Sequence, residues 1–475
     1  MNRRKVMKRG LAKIIGIVLV VTMMLTGCKV AVSDEGNTST PSIQPTKGGT
    51  ESSADKIVKY GKELTNLNLD GTLTKKYEGQ SIVVPVMSGD FEKAVNDAVP
   101  IFEKLTGAKV VIESVPGEQF TDKLQLDLNN TKRYDVVLAP IAFLHSFAAS
   151  GKIEPLQPVI DQYAGKSYDT SDFIPSLFTT YGMYNDKLYA IPYKPDVELL
   201  FYRKDLFEDA ANKAAFKEKY GRELEVPKTN EELMEVAAFF TKSLNSNSSV
   251  DYGYSTNMMK GCTRLLYINR GGDDVENGKP NMNNQAGVDA LNRVLELEKY
   301  APKEWMQMGW DEANQFFANG NAAMMEQWPG LWNTCQADGS KVKDKVGVAV
   351  APGATPVLGG WGVGISAGSK NKELAWKFIE FMTSKDGELL KIENTMDPCR
   401  TSSYAIEEVN KSSALYEALM ESLKYAKTLA DVDIPYVSSK LNDVMELHIQ
   451  DALNKKVTPQ KALEEMEADF HKEIK

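Results

Sequence analysis

Residues 81–149 read SIVVPVMSGDFEKAVNDAVPIFEKLTGAKVVIESVPGEQFTDKLQLDLNNTKRYDVVLAPIAFLHSFAA, and their patterning decides the fold. Ser81–Met87 is an apolar run of strand length. Phe91, Ala94, Val95, Ala98, Ile101, Phe102 and Leu105 recur at helical spacing, and Gly107 stops that helix. Lys109–Val115 is strand-like, Phe120–Leu128 helical, Tyr134–Leu138 a third strand, and Phe143–Ala149 a helix ended by Gly151. A β-α-β-α-β-α order argues for a parallel sheet with helices on both faces.

Further along, the pattern changes. Tyr189–Tyr193 and Glu198–Tyr202 are extended segments split by Lys194-Pro195-Asp196. Helical spacing follows over 204–208, 211–220, 230–244, 287–300 and 311–319. Val346–Ala351 and Trp361–Ser366 read as strands, Glu373–Thr383 as a helix, and 414–428 and 436–475 as a helical tail.

The N-terminus has a different character. Residues 1–13 carry six basic residues and no acid, followed by an apolar run of 12 from Ile14 to Leu25. A basic head, a short apolar stretch and small residues at the cut describe a secretory signal, too short for an ordinary membrane span. Leu25-Thr26-Gly27-Cys28 resembles the lipobox of bacterial lipoproteins, which implies cleavage before Cys28 and a lipid on its sulfur. The expected signal is 1–27. The expected tether is 28–56, rich in Ser, Thr, Gly and Pro and poor in apolar surface to bury. About 400 residues remain, enough for two lobes. Without residues 1–27 the chain has 50 basic and 65 acidic residues, a formal charge of −15. Such a surface excludes nucleic acid as a partner, because that binding relies on Lys and Arg neutralising phosphates. Cys262, Cys335 and Cys399 are far apart and form no CxxC, and free thiols are expected.

No catalytic motif survives inspection. Gly364-Ile365-Ser366-Ala367-Gly368 matches the GxSxG nucleophile elbow. The histidines that follow it, His448 and His471, lie in the helical tail and not in a loop after a strand. Gly362-x-Gly364-x-x-Ala367 lacks the surrounding βαβ unit of a dinucleotide site. Asn66-x-Asn68-x-Asp70-Gly71 begins like a calcium loop but places Tyr77 where a glutamate is needed. With three histidines the chain is poorly equipped for base catalysis. No residue is assigned a catalytic role, and no metal or cofactor is implied.

The aromatic residues say more. Glu326-Gln327-Trp328-Pro329-Gly330-Leu331-Trp332 sets two tryptophans beside acidic and amide groups at a bend, and Trp361 follows Gly359-Gly360. Sugar rings have apolar faces and polar edges, so flat aromatic faces flanked by carboxylates and amides suit them.

Taken in order, several phrases resemble the extracellular solute-binding proteins of ABC importers, in the sugar-binding group that includes maltose-binding protein. They are YDVVLAP followed by FLHSFAASGKIEPL, YAIPYKPDVELLFYRKDLFE, VPKTNEELMEVA, FFANGNAAMMEQWPGLW, and VGVAVAPG with GGWGVGISAGSKNKELAWKFIEFM. The resemblance spans roughly Ser81 to Lys475. It implies an α/β, two-lobed, periplasmic-binding-protein-like fold of type II, with parallel-rich sheets flanked by helices. Three hinge crossings are implied, at 193–200, 359–366 and 395–402. The N-terminal lobe would be 80–193 with 366–397, and the C-terminal lobe 199–358 with 402–475. GxSxG then falls on a hinge strand.

Carried onto this chain, the resemblance implies ligand contacts from Asp90, Phe143, Asp196, Glu198, Trp328, Arg400 and Tyr436, to which the aromatic pattern adds Trp332 and Trp361. The chain departs from the maltose type at Gly261-Cys262-Thr263-Arg264, where aromatics would precede the Gly-Gly turn. Arg264 and Arg400 together leave room for an acidic or smaller sugar. The implied function is a monomeric, lipid-anchored, extracytoplasmic binding subunit that captures a sugar and delivers it to a membrane permease. Two rivals stay open. One is a carbohydrate-active lipoprotein enzyme. The other is the same fold binding a peptide, a metal or a polyamine, the last served by Asp196, Glu198, Glu326 and Trp328.

Overall fold

The computed structural model describes residues 56–473 except 259–261, 354–355, 395 and 430–437. The expected signal, the tether up to residue 55, Cys28 and Tyr436 lie outside the described residues.

The first half follows the sequence reading closely. Strand β1 (Ser81–Met87) is followed by helix α1 (Asp90–Thr106), β2 (Lys109–Val115), α2 (Gly117–Leu126), β3 (Val136–Pro140) and α3 (Ile141–Ala149). The apolar stripe of α1 puts Phe91, Ala94, Val95, Ala98, Val99 and Phe102 inside. Burying each large one stabilises by roughly 1.5–3 kcal/mol. Gly107 ends α1 in the left-handed region (φ +72°), its N–H bonded to Glu103 O at 2.9 Å. Helix α2 runs shorter than its apolar pattern. A wide turn over Asp127–Thr131 replaces its end, and the Asp127 carboxylate accepts the N–H groups of Arg133 and Tyr134.

Strand β4 (Ile191–Lys194) leads through the first passage into β5 (Leu199–Arg203) of the second lobe. That lobe adds α4 (Asn230–Phe240), β6 (Tyr252–Ser255), α5 (Cys262–Asn269), β7 (Ala322–Gln327), α6 (Leu331–Gln336) and β8 (Val346–Val350). Helix α4 starts on a capping box, Thr229 with Glu232. It stops at Phe240, four residues before its apolar pattern ends, where Thr241 Oγ1 turns back to Ala237 O at 2.7 Å. The chain returns as β9 (Trp361–Ile365), then α7 (Lys372–Thr383) and α8 (Lys385–Ile392). Helices α9 (Ser438–Leu453) and α10 (Pro459–Glu473) close the described chain.

The sheets are mixed, which corrects the parallel-rich expectation. In the first lobe β1 and β2 are parallel, and β9 runs antiparallel to both β3 and β4. In the second the order is β6-β7-β5-β8, with β6/β7 parallel and β5 antiparallel to β7 and β8. The cause is the chain path. Strands of βα units end at the hinge, whereas β5 and β9 begin there and run outward. Trp361 therefore pairs with Pro140 and Lys194, and Leu199 with Gln327.

Residues 56–80 brace the first lobe. Leu69, Leu73 and Tyr77 are buried, Asn66 N–H donates to Asp386 at 2.7 Å, and Tyr77 OH donates to Glu373 at 2.9 Å. Asp70 of the calcium-like stretch accepts the Ser167 N–H at 2.8 Å. Cys262, Cys335 and Cys399 are buried free thiols. Ser366 is buried at the end of β9, its Oγ accepting the Gly368 N–H at 3.2 Å, as befits a hinge strand. Among the described residues no helix is long and apolar enough to cross a membrane.

Candidate functional site

The first passage, Lys194-Pro195-Asp196-Val197-Glu198, is extended, so Lys194, Asp196 and Glu198 alternate onto one side. All three are buried, at 6%, 7% and 5% exposure. Lys194 Nζ lies 3.2 Å from Asp196 Oδ2 and 3.8 Å from Asp397 Oδ2. Burial works against the lysine's charge, but Asp196 and Asp397 outweigh it and raise its pKa. Burial raises Asp196, with Lys194 opposing. Asp397 is pushed up to about 7, by burial first, against Lys194 and with Asp196 and Asp90 adding to the rise. Asp196 Oδ1 is buried with no hydrogen-bond partner.

Below this cluster, the second lobe supplies another. Asn269 Nδ2 donates to Glu198 Oε2 at 2.5 Å. Glu326, at the end of β7, accepts Tyr254 OH at 2.6 Å and is ion-paired with Arg270. Burial, then the Glu326 carboxylate, pushes Glu198 up to about 8, while Asn269 and Arg270 pull the other way. Two carboxyls share one guanidinium here, so one proton stays in place. The Nε and Nη1 groups of Arg270 and the side-chain oxygens of Asn257 and Asn269 are buried without partners.

Aromatic faces flank the passage. Phe91 and Trp361 lie 4.6 Å apart between centroids, Trp361 and Phe120 5.6 Å, and Phe91 and Tyr193 6.2 Å. Trp328 lies over Gly359, where a Cβ would come within 2.7 Å of its ring. Gly360 has φ +100° and leaves no room for a side chain beside the Tyr181 hydroxyl. Asp90, first residue of α1, accepts a hydrogen bond from Asn333 Nδ2 of α6 at 3.2 Å, joining the two lobes.

The hinge region thus gathers Asp90, Asp196, Glu198, Trp328 and Trp361. Trp332 is partly buried on α6, and Phe143 half-buried on α3, its ring 6.3 Å from Phe147. Two of the expected residues lie apart from this cluster. Arg264 is 1% exposed and spends its guanidinium on Asp274, at 2.7 Å from Nε, and on Asn442. Arg400 is fully buried, bonded to Thr383 O and Asp169 O at 2.7 Å and stacked 3.9 Å from the Phe173 ring. Neither joins the hinge cluster: Arg264 is held by Asp274 and Asn442, and Arg400 by Thr383, Asp169 and Asp172 through Nε and Nη1, with Nη2 unpaired. Lys194, Arg270, Asn333 and Asp397 were not singled out as site residues. For Lys194 the signal was present, two residues from Asp196 in an extended chain. A cavity of about 610 Å³ lined by Pro155, Ile160, Phe178, Met183 and Asp186 shares no residue with the cluster.

Two α/β lobes with polar and aromatic groups converging at their junction are the architecture of a binding protein, and comparison with known proteins agrees. Residues 85–389 match the family described as bacterial extracellular solute-binding protein. The chain belongs to that family. As a member, it is 28% identical to a probable ABC transporter-binding protein of Deinococcus radiodurans, over 60% of this chain and 68% of the relative. It is 23% identical to a maltooligosaccharide ABC transporter solute-binding lipoprotein of Streptococcus pneumoniae, over 75% and 80%. In fold this solute-binding protein resembles an ABC transporter solute-binding protein of Agrobacterium radiobacter solved with ribitol. The TM-score is 0.73 at 24% identity, over 84% of this chain and all of the other.

Proposed function

We propose that this solute-binding protein captures a neutral carbohydrate, a sugar or sugar alcohol, between its lobes and hands it to a membrane permease. The observation that carries the reading is charge compensation at the hinge. Asp196 faces Lys194, Glu326 faces Arg270, and burial holds Glu198 near 8 and Asp397 near 7. A buried polyamine needs unmatched negative charge, and here nearly every acid is matched or protonated. Hydroxyl groups, able to donate and accept, fit the remaining set: the free acceptor Asp196 Oδ1 and the free donors of Arg270. Trp328 and Trp361 supply flat faces.

The protein works as a monomer with an N-terminal lobe of 80–193 and 366–397 and a C-terminal lobe of 199–358 and 402–475. It is tethered by a lipid on Cys28 at the outer face of the membrane. It performs no chemistry on the solute. A thermal-shift panel of sugars, polyols, uronates and polyamines tests the reading. A ligand at 100 times its dissociation constant adds about 2.7 kcal/mol of stability. A shift with one neutral sugar or polyol, recovered unchanged, is expected. A flat carbohydrate panel with a polyamine hit would overturn the reading. Mass spectrometry of the membrane-bound form decides the anchor, which requires diacylglyceryl mass on a chain beginning at Cys28.

A further inference from the structure

Asp90 is held by more than its own helix. It opens α1 after Gly89 (φ +96°), whose lack of a side chain leaves the helix N-terminus without a side-chain cap, and with Glu92 it supplies the negative charge of the first turn. Its charge is felt at Lys194 of the first passage and at Asp397 of the third. Across the junction stands α6. Leu331 and Cys335, one turn apart, are buried at 1% and 0% and fix this short helix in the second lobe. Asn333 sits between them in sequence, so it points to another side of the helix, and its Nδ2 reaches Asp90 Oδ2 at 3.2 Å. Amide-to-carboxylate bonds are stronger than neutral ones. This one exists only while the lobes meet, so it favours that state over any in which they part.

We propose that Asn333 is a positioning residue that latches the lobes together through Asp90, setting how long a solute is held rather than which solute is recognised. This rests on the capture reading, in which the lobes part and close. It also assigns Asp90 to the latch, with Asp196 left as the acceptor for the solute. Removing the latch lowers the closed fraction, and apparent affinity falls in proportion to that fraction. About a tenfold loss is expected for one charge-assisted bond, read chiefly in the off-rate.

The test uses the intact purified chain, with dyes on cysteines placed at exposed Leu126 and Leu244, one per lobe; the three described native thiols are buried. Single-molecule energy transfer then reads the closed fraction with and without ribitol. Asn333→Ala should lower it several-fold and Asn333→Asp further, by setting two like charges together. In an Asp90→Ala background, Asn333→Ala should add nothing. Equal distributions for wild type and Asn333→Ala would overturn the proposal, as would an undiminished effect in the Asp90→Ala background. If ribitol moves nothing while Asn333→Ala still shifts the distribution, the latch stands and the choice of solute fails.

Discussion

Replacing Glu198 by Gln keeps the shape of the protonated carboxyl and removes its titration. In the folded chain Glu198 holds its proton up to about pH 8, against an ordinary value of 4.5. Below pH 4.5 folded and unfolded chains both carry that proton. Between 4.5 and 8 only the folded chain does, so unfolding releases it and stability falls as pH rises, by about 1.4 kcal/mol per unit. Above 8 neither carries it, and the full loss, about 4 to 5 kcal/mol, is present. Asp397 adds a second slope of the same sign between its ordinary 3.8 and about 7. Carboxylates held low, such as Glu373 and Asp469, titrate below this window and do not blur it. The assay is urea denaturation at half-unit steps from pH 5 to 9. Wild type should lose stability steeply to pH 7 and more gently to pH 8. Glu198→Gln should lose about 1.4 kcal/mol per pH unit of the wild-type slope up to pH 8. Glu198→Gln with Asp397→Asn should lose both contributions, keeping only what other raised carboxyls such as Asp196 and Glu380 add. A Glu198→Gln curve that parallels wild type between pH 7 and 8 would refute the idea that this carboxyl holds the proton.

Four further substitutions probe other parts of the fold. Arg264→Ala strands the buried Asp274 carboxylate and should cost about 3–5 kcal/mol in chemical denaturation. Its effect on solute affinity measured by calorimetry should be small. An intact stability with lost affinity would return Arg264 to the site. Gly360→Ala forces a side chain into the left-handed region against the Tyr181 hydroxyl, and should destabilise by more than about 1 kcal/mol. Trp328→Ala should weaken binding of a neutral sugar by about 1 kcal/mol or more. Gly359→Ala, whose new methyl displaces the Trp328 ring, should reproduce much of that loss without touching the indole itself. A Gly359→Ala variant with full affinity would mean that the tryptophan does not face the solute.

The elements legible in the sequence are those whose local pattern and tertiary burial agree. Ser81–Met87 and Lys109–Val115 emerge residue for residue, because β-branched runs of that length suit strands in a parallel pair. Ala322–Gln327 was not read as a strand, although all six residues are buried at the centre of the second sheet. Alanine, methionine, glutamate and glutamine are good helix formers, and here tertiary pairing with β6 and β5 overrides that preference. Strands β5 and β9 were read as strands, but their antiparallel direction was invisible for another reason. Strand direction depends on which end of the strand the hinge supplies, and no local pattern encodes it.

The site divides in the same way, and the arginines show why. Arg264, Arg270 and Arg400 are alike in type, and all are almost completely buried. What separates them is the partner that folding provides. Arg264 meets Asp274 and Asn442, and three of the N–H groups of Arg400 reach Asp169, Asp172 and Thr383. Arg270 meets Glu326 through one nitrogen and leaves Nε and Nη1 unpaired beside a second carboxyl, Glu198. Arg400 also leaves one nitrogen, Nη2, unpaired, but its partners Asp169, Asp172 and Thr383 hold it away from the hinge carboxylates. What sets Arg270 apart is its place beside two hinge carboxyls, Glu326 and Glu198, which is why the proposed function gives its spare donors to a solute hydroxyl. The ten and more residues that separate these partners along the chain carry no trace of that difference. The acids at Asp196 and Glu198 were legible because both lie within the extended passage that brings them together.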